Sequence, residues 1–187
     1  ETYIFQMGLS GLGLPDRDYY LKEDAKSVEQ RAKYVDLLTT LLGKAGYADP
    51  ANAAAEVMAF ETALARTHWD LTLSRNPEIT YNKVSREEFS AMAGAFPVDV
   101  ALEKIGVSNQ EHFLVAQIPP TQEELTAAGI SAEDASKLGG GFPAMFNLAS
   151  ETSLDTWKAY LKAHFLIDNS GVLPEEIDRE VFAFYGT

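Results

Sequence analysis

The sequence contains no cysteine. Disulfide bonds, thiol nucleophiles, iron–sulfur clusters and cysteine-ligated zinc are therefore excluded within its 187 residues. Positive charge is scarce as well, because 15 Lys and Arg stand against 28 Asp and Glu, for a formal net charge of −13. So acidic a surface repels phosphate backbones, and we expect no nucleic-acid partner.

Long apolar runs are also missing. No stretch reaches the roughly 18 uninterrupted apolar residues that a spanning helix needs, so we expect no membrane span in this segment. Hydrophobic residues make up 46% and charged residues 23% of the chain, which is the usual composition of a folded globular protein. Neither an internal repeat nor a clear linker divides the chain, and we predict a single domain over residues 1–187.

Helical patterns dominate the chain. Apolar residues at three- and four-residue steps predict one helix from Asp24 to about Lys44, and Asp49-Pro50 begins a second that ends near Trp69. We expect these two helices to pack as an antiparallel pair. Capping boxes that begin at Ser85 and Thr121 predict further short helices.

The C-terminal part predicts two more helices, the second of them opened by Pro174. One face of the first carries large apolar residues that we interpret as core, and the aromatic residues of the last helix are interpreted in the same way. These residues are Leu154, Trp157, Leu161, Phe165, Phe182 and Phe184. Because the chain closes on apolar and aromatic residues, we expect it to continue in a parent protein.

A small β element accompanies the helices. Short strands are predicted near residues 2–6 and 112–117, and the second is expected to pair with the first. Residues 79–82 are predicted to be extended, and the glycines of residues 139–141 with Pro143 predict a flexible loop. The fold class is therefore mainly α, a helical lobe with antiparallel helix pairs and a small β element.

Histidine is rare, so metal and acid–base sites can be searched almost exhaustively. His68, His112 and His164 are far apart in sequence, and none belongs to an H-E-x-x-H zinc element. His164 and Asp168 are one helical turn apart and could share a metal, but a helical histidine beside an ordinary carboxylate is the interpretation we favour. We predict no catalytic, cofactor-binding or metal-ligating residue in the chain.

One run is far more specific than any other pattern. Residues 11–21 read GLGLPDRDYYL, and this run closely resembles a signature of the neprilysin and endothelin-converting-enzyme family of zinc metallopeptidases. Weaker family-like features follow in order along nearly the whole chain. They are Tyr34-Val35, residues 41–43, Glu61-x-x-Leu64-Ala65, residues 80–83, Val115-Ala116-Gln117, residues 157–161 and residues 182–187.

The resemblance implies a segment of the family's N-terminal, non-catalytic lobe. Family members are longer and hold zinc in a C-terminal catalytic domain, whose H-E-x-x-H helix and downstream Glu ligand have no counterpart here. The fragment alone is therefore expected to be inactive and zinc-free, whereas the parent would be a zinc metalloendopeptidase. The lobe would enclose a cavity that admits short peptides, with the catalytic domain as its partner.

The resemblance has two further implications, one for the kind of organism and one for the cellular location. Many animal members are rich in disulfides, so the lack of cysteine favours a bacterial-type member. By resemblance such proteins work outside the cytoplasm, in the periplasm, in the medium or on the surface. Arg17 within the signature could contact a substrate carboxylate, although an ion pair with its flanking Asp residues is the interpretation we favour.

Two other functions stay open at this point. The chain could be a stand-alone helical module that binds peptides or a protein without chemistry. It could also be an unrelated enzyme that uses His164, Asp168 and other carboxylates around a metal. Exposed aromatic residues near Phe182 would in addition favour weak self-association.

Overall fold

The computed structural model describes residues 4–186. Helices account for 62% of the structure, and three short strands form a small mixed sheet. The expected fold class, mainly α with a small β element, is confirmed. Within the described residues, no helix combines the length and the apolar character needed to span a bilayer.

The sheet is formed by three strands from distant parts of the chain. They are β1 (Phe5–Met7), β2 (Asn82–Ser85) and β3 (His112–Val115). β3 lies in the middle, parallel to β1 and antiparallel to β2. The expected pairing of the first and last strands is thus confirmed, but β1 lies later than residues 2–6. Residues 2 and 3 of that prediction fall outside the described part of the chain.

Eleven helices are present among the described residues. In chain order they are α1 (Asp18–Leu21), α2 (Ala25–Lys44), α3 (Pro50–Thr67), α4 (Pro77–Thr80), α5 (Arg86–Ala93), α6 (Val98–Lys104), α7 (Gln122–Ala127), α8 (Ala132–Ala135), α9 (Gly141–Glu151), α10 (Leu154–Asp168) and α11 (Glu175–Tyr185). Single turns of 3₁₀ helix occur at Leu73–Arg75 and Ser170–Val172.

Side-chain caps begin the helices where the sequence predicts them. The carboxylate of Asp24 accepts the backbone N–H of Ser27 at 3.0 Å and starts α2. Both capping boxes are present, from Ser85 at the start of α5 and from Thr121 at the start of α7. Each cap satisfies a backbone donor that has no partner inside the helix, so the short helices begin at defined residues.

Two segments differ from their predictions. Residues 79 and 80, which the sequence predicts to be extended, belong to α4 instead. This helix begins at Pro77, because proline suits the first helical position and Asn76 accepts the N–H of Glu78 at 3.0 Å. The extended strand β2 begins only at Asn82. The predicted loop at residues 139–143 is wrong in its second half, since α9 begins at Gly141 and holds Pro143 in its first turn, where a missing N–H is harmless.

The described chain divides into two compact units. Among the described residues, unit 1 consists of residues 4–11 with Arg66–Glu151, and unit 2 consists of Leu12–Ala65 with residues 152–186. Each unit is therefore built from segments that are distant in sequence. The single-domain prediction for residues 1–187 stays a prediction.

The core of unit 1 is aromatic and lies on the sheet. Phe113 of β3 is fully buried and lies 5.1 Å, between ring centroids, from Phe89 of α5. Phe142 and Phe146 of α9 close the same cluster, with Phe89 and Phe146 at 5.5 Å. Edge-to-face and tilted ring pairs of this kind stabilise beyond the area they bury, so the sheet is held by α5 and α9.

Unit 2 is centred on α2. Tyr34, Leu38 and Leu41 of this helix are fully buried, and α1, α10 and α11 all pack against it. The prediction that Leu154, Leu161 and Phe165 are core residues is wrong, because all three are exposed. Phe182 is also 69% exposed, whereas Trp157 is half-buried and its ring centroid lies 5.0 Å from that of Phe60.

Candidate functional site

The signature segment leads into unit 2 through a non-helical turn. Gly13 and Pro15 keep residues 12–16 out of a helix, and α1 begins only after Asp16 accepts the N–H of Asp18 at 2.8 Å. Leu14 is buried although it lies in this turn. A Cβ atom built on Gly13 would collide with the hydroxyl of Tyr34, so the turn approaches α2 as closely as glycine allows.

A buried carboxylate holds this turn in place. Glu61 of α3 has no exposed surface, and its Oε2 atom accepts the hydroxyl of Tyr20 at 2.5 Å and the backbone N–H of Gly13 at 3.1 Å. Its Oε1 atom accepts the hydroxyl of Tyr34 at 2.9 Å and lies 2.8 Å from Nε2 of His164. We call these five residues, Gly13, Tyr20, Tyr34, Glu61 and His164, the Glu61 cluster.

The cluster is fully hydrogen-bonded, which is what makes a buried carboxylate tolerable. Burial of a carboxylate costs several kcal/mol of folding free energy unless hydrogen-bond donors occupy the lone pairs of its two oxygens. Here two phenols and one backbone amide donate to the carboxylate, and Nε2 of the imidazole lies within hydrogen-bonding distance of Oε1. The network continues outward, because Tyr20 also accepts the N–H of Leu14 at 2.8 Å and Tyr185 donates to the carbonyl of Gly13 at 2.9 Å.

Burial and charge act in the same direction on the phenols. Burial, followed by the nearby charge of Glu61, raises the pKa of Tyr20 and of Tyr34 well above the ordinary tyrosine value of 10.0. The pKa of Tyr185 is raised for the same two reasons in the same order. All three are protonated donors at neutral pH, as an ordinary tyrosine is, and their raised pKa values keep them protonated to higher pH in the folded unit.

The cluster can position residues but does not itself offer a reactive group. Every oxygen of Glu61 is engaged, so it is poorly suited to act as a general base or a metal ligand. Its geometry ties the turn of residues 12–16 to α2, α3 and α10 at one point. We therefore assign it a positioning role within unit 2.

The cluster was missed at the sequence level, although a signal was present. Glu61 lies four residues after Val57 and three before Leu64, so it interrupts an otherwise apolar helical stripe. A charged residue on the buried face of a helix requires hydrogen-bond partners. The sequence does not name those partners, because they come from residues 27 to 103 positions away.

The histidines proposed as candidates do not form a metal site with their neighbours. His164 lies in α10, and Nε2 of its ring is directed at Glu61 of α3. His112 is exposed on β3, and His68 follows the end of α3. Among residues 4–186, no group of three or more His, Asp or Glu side chains is arranged to hold a metal ion. The described residues therefore do not fit a zinc site.

A shallow groove lies elsewhere in unit 2, between α2 and α11. Its volume is about 240 Å³, its rim carries Lys33, Asp36 and Glu180, and its floor includes Leu37 and Phe184. The volume lies below the several hundred Å³ that enclose a typical small-molecule ligand. We assign no ligand to this groove.

Unit 1 contains a second, separate positioning site. Gln117 is the one residue other than glycine with a positive φ in the described chain, at 53°, and it is buried. Its side-chain oxygen accepts the backbone N–H of Trp69 at 2.8 Å, and its carbonyl accepts the N–H of Phe142 at 3.0 Å. Gly141 lies against the same carbonyl, where a side chain would collide. The Val115-Ala116-Gln117 motif therefore joins β3 to the start of α9.

Comparison with known proteins agrees with the signature. The family model described as peptidase family M13, in its N-terminal part, matches residues 1–187. The chain is 35% identical over 97 residues to endothelin-converting enzyme 1 of Homo sapiens and to that of Bos taurus, which is 51% of this chain and 13% of each enzyme.

Solved structures give the same fold. The cryo-EM structure of the Mycobacterium tuberculosis zinc metalloprotease Zmp1 in an open state has a TM-score of 0.78 at 22% identity, over 97% of this chain and 25% of that chain. A crystal structure of Zmp1 with an inhibitor gives 0.77 at 20% identity over the same shares.

These findings place the chain in the N-terminal region of a peptidase family. The chain belongs to peptidase family M13, and the resemblance to the neprilysin and endothelin-converting-enzyme family is confirmed. It spans about an eighth of endothelin-converting enzyme 1 and a quarter of the Zmp1 chain. The bacterial-type assignment stays a prediction.

Proposed function

We propose that this chain is a cavity-enclosing part of the N-terminal lobe of a zinc-dependent metalloendopeptidase that cleaves short peptides. The observation that carries the proposal is the match of the M13 N-terminal family model to residues 1–187. The names of the related proteins, a converting enzyme and a zinc metalloprotease, agree with it. The catalytic domain, which would hold the zinc, would be supplied by another part of the same polypeptide.

The contribution of the lobe to catalysis would be indirect. A wall around the active site excludes folded proteins by size and keeps a short peptide near the reacting groups, which raises its effective concentration. Such a wall needs a fixed shape and no reactive group. The Glu61 cluster and the Gln117 site suit this role, because both use buried hydrogen bonds to fix backbone segments. We further propose an extracytoplasmic location, which rests on the family resemblance.

The test compares two proteins. One is the 187-residue chain, and the other is the full-length polypeptide encoded by the same gene. Both are incubated with a quenched-fluorescent short peptide and with an unfolded protein substrate, with and without a zinc chelator, and their zinc content is measured.

We expect the full-length polypeptide to bind zinc and to cleave the short peptide in a chelator-sensitive reaction. The 187-residue chain should do neither. Chelator-sensitive cleavage by the short chain alone would contradict the proposal. Tight peptide binding by a chain whose gene encodes no catalytic domain would instead support the stand-alone binding module.

A further inference from the structure

Helix α10 carries large apolar side chains on the face that its own unit does not cover. Leu154, Leu161 and Phe165 are 68%, 58% and 58% exposed. They are seven and four residues apart, so they lie within about 20° of one line along the helix. We call these three residues the α10 stripe.

The opposite face of the same helix is already part of the core of unit 2. Ala159 and Ala163 are almost fully buried, and Tyr160 is 8% exposed. Ala163 lies about 180° around the helix from the stripe. The helix is therefore apolar on two opposite faces, which is typical of a helix between two layers of protein and not of one at a free surface.

Scattered single apolar residues on a surface need no explanation, but an aligned set does. The stripe runs for about 16 Å, which is three turns of helix. Charged side chains flank it, with Lys158 paired to Asp155 at 3.5 Å on one side and Asp168 on the other. An apolar line with charged edges is typical of a surface that receives another helix or an extended segment.

The area and the charge both argue against a second copy of the chain as the occupant. Three partly exposed side chains offer a few hundred Å², whereas a stable interface between separate proteins needs about 800 Å² on each partner. Two chains of net charge −13 also repel each other. A segment of the same polypeptide needs less area, because its covalent connection to the chain gives it an effective concentration on the order of 1 mM or more.

The length of the relatives indicates where that segment comes from. This chain covers 25% of the Zmp1 chain and 13% of endothelin-converting enzyme 1. We propose that an apolar segment of the same polypeptide, outside these 187 residues, packs along Leu154, Leu161 and Phe165. This inference rests on the proposed function, in which the lobe is one part of a longer chain.

The absence of cysteine permits a clean test. Phe165→Cys and, separately, Leu161→Cys are made in the 187-residue chain and in the full-length polypeptide, with any cysteine outside these residues replaced by serine. Asp155→Cys is the matched control, because this side chain lies on the same helix, off the stripe, and is 91% exposed. The rate of reaction with a thiol reagent is measured under native conditions, and circular dichroism checks that each variant is folded.

We expect both stripe cysteines to react at least about tenfold more slowly in the full-length polypeptide than in the 187-residue chain, because packing blocks access to the thiol. The control cysteine should change by less than about twofold. Equal rates for the stripe cysteines in the two proteins would overturn the inference. So would protection that appears in the 187-residue chain itself and grows with its concentration, since the occupant would then be a second copy.

Zinc content and peptide cleavage are measured on the same full-length preparations. Protected stripe cysteines in a protein without zinc or cleavage would uphold the interface and contradict the proposed function. Stripe cysteines that stay reactive in an active zinc peptidase would contradict the interface and leave the proposed function supported.

Discussion

The hydroxyl of Tyr20 donates a hydrogen bond of 2.5 Å to Oε2 of Glu61, which lies 41 residues further along the chain. Tyr20 is the last residue but one of the signature segment, and Glu61 is the glutamate of the family-like motif Glu61-x-x-Leu64-Ala65. The two motifs that are separate in the sequence therefore meet at one buried carboxylate. This contact explains physically why a glycine, two tyrosines and a glutamate occur together in this lobe.

Removal of the carboxylate should destabilise unit 2 strongly. Glu61→Ala leaves the hydroxyls of Tyr20 and Tyr34 and the amide of Gly13 buried without their acceptor, and we expect it to lower the free energy of unfolding by about 3–5 kcal/mol. Glu56→Ala, an exposed position on the same helix, should change it by less than about 0.5 kcal/mol. Urea denaturation monitored by circular dichroism measures both. Equal small effects would show that the cluster does not stabilise the fold.

The close approach of Gly13 to Tyr34 predicts a specific pattern of rescue. Gly13→Ala should cost about 1–3 kcal/mol, because the new methyl group displaces the Tyr34 hydroxyl from Glu61. Gly171→Ala, which meets no neighbour within 4 Å, should be close to neutral. In the double variant Gly13→Ala/Tyr34→Phe, the shortest contact, that with the hydroxyl, is removed while the contact with the ring carbon Cζ remains. The two substitutions together should therefore cost less than the sum of their separate effects. Strictly additive effects in urea denaturation would contradict the predicted contact.

The raised pKa values of the buried tyrosines predict sensitivity to alkali. The pKa of each buried tyrosine is higher in the folded protein than in the unfolded protein, where it is about 10. Such a group contributes its full stabilisation while the pH is below the pKa of the unfolded protein, and this contribution is lost as the pH rises above that value. Tyr20 and Tyr34 should therefore ionise only when unit 2 unfolds. The tyrosinate absorbance and the helical circular dichroism are recorded together as the pH is raised.

We expect part of the tyrosinate signal to appear together with the loss of helical signal. The chain has eight tyrosines, so the exposed ones supply an internal reference for titration without unfolding. If all eight titrated near pH 10 while the helical signal stayed intact, the buried, charge-flanked positions of Tyr20 and Tyr34 would be wrong.

Local signals predicted the helix starts well, but they could not say which face of a helix is buried. Asp24, Ser85 and Thr121 mark helix starts because a cap needs only its next three residues. The period of Leu154, Leu161 and Phe165 indicated an apolar face correctly. The assignment of this face to the core is wrong, because periodicity shows that a face is apolar but does not show what covers it. Within unit 2, α10 packs through Ala159 and Ala163 instead.

The candidate site was harder to predict than the helices. The motifs containing Tyr20 and Glu61 were recognisable as family features, but the contact between them was not. Its partners are brought together by the packing of α2, α3 and α10, which depends on the whole of unit 2. In the same way, nothing in the sequence around Gln117 indicates a positive φ, since the strain there is balanced by hydrogen bonds to Trp69 and Phe142.

The positive φ of Gln117 predicts an unusual order of stability among its variants. Gln117→Ala and Gln117→Gly both lose the side-chain acceptor for Trp69, but glycine adopts this backbone conformation without strain. We expect the glycine variant to be more stable than the alanine variant by about 1 kcal/mol. At Glu87, an exposed position in α5, the order should be reversed. Thermal and urea denaturation of the four variants check this, and alanine above glycine at both positions would refute it.

The environment of His164 predicts a structural role for this residue. It therefore argues against the hypothesis that the chain is an unrelated enzyme with a metal bound at His164. Its Nε2 atom is directed at Glu61, and its ring centroid lies 4.3 Å from that of Tyr160, so both the polar and the apolar parts of the imidazole are engaged within unit 2. His164→Ala should therefore lower the free energy of unfolding by about 1–3 kcal/mol. In the full-length polypeptide it should leave zinc content and peptide cleavage, per folded molecule, unchanged. Loss of bound metal or of activity in a fully folded His164→Ala protein would instead place the reaction in this chain, at His164 and its neighbouring carboxylates.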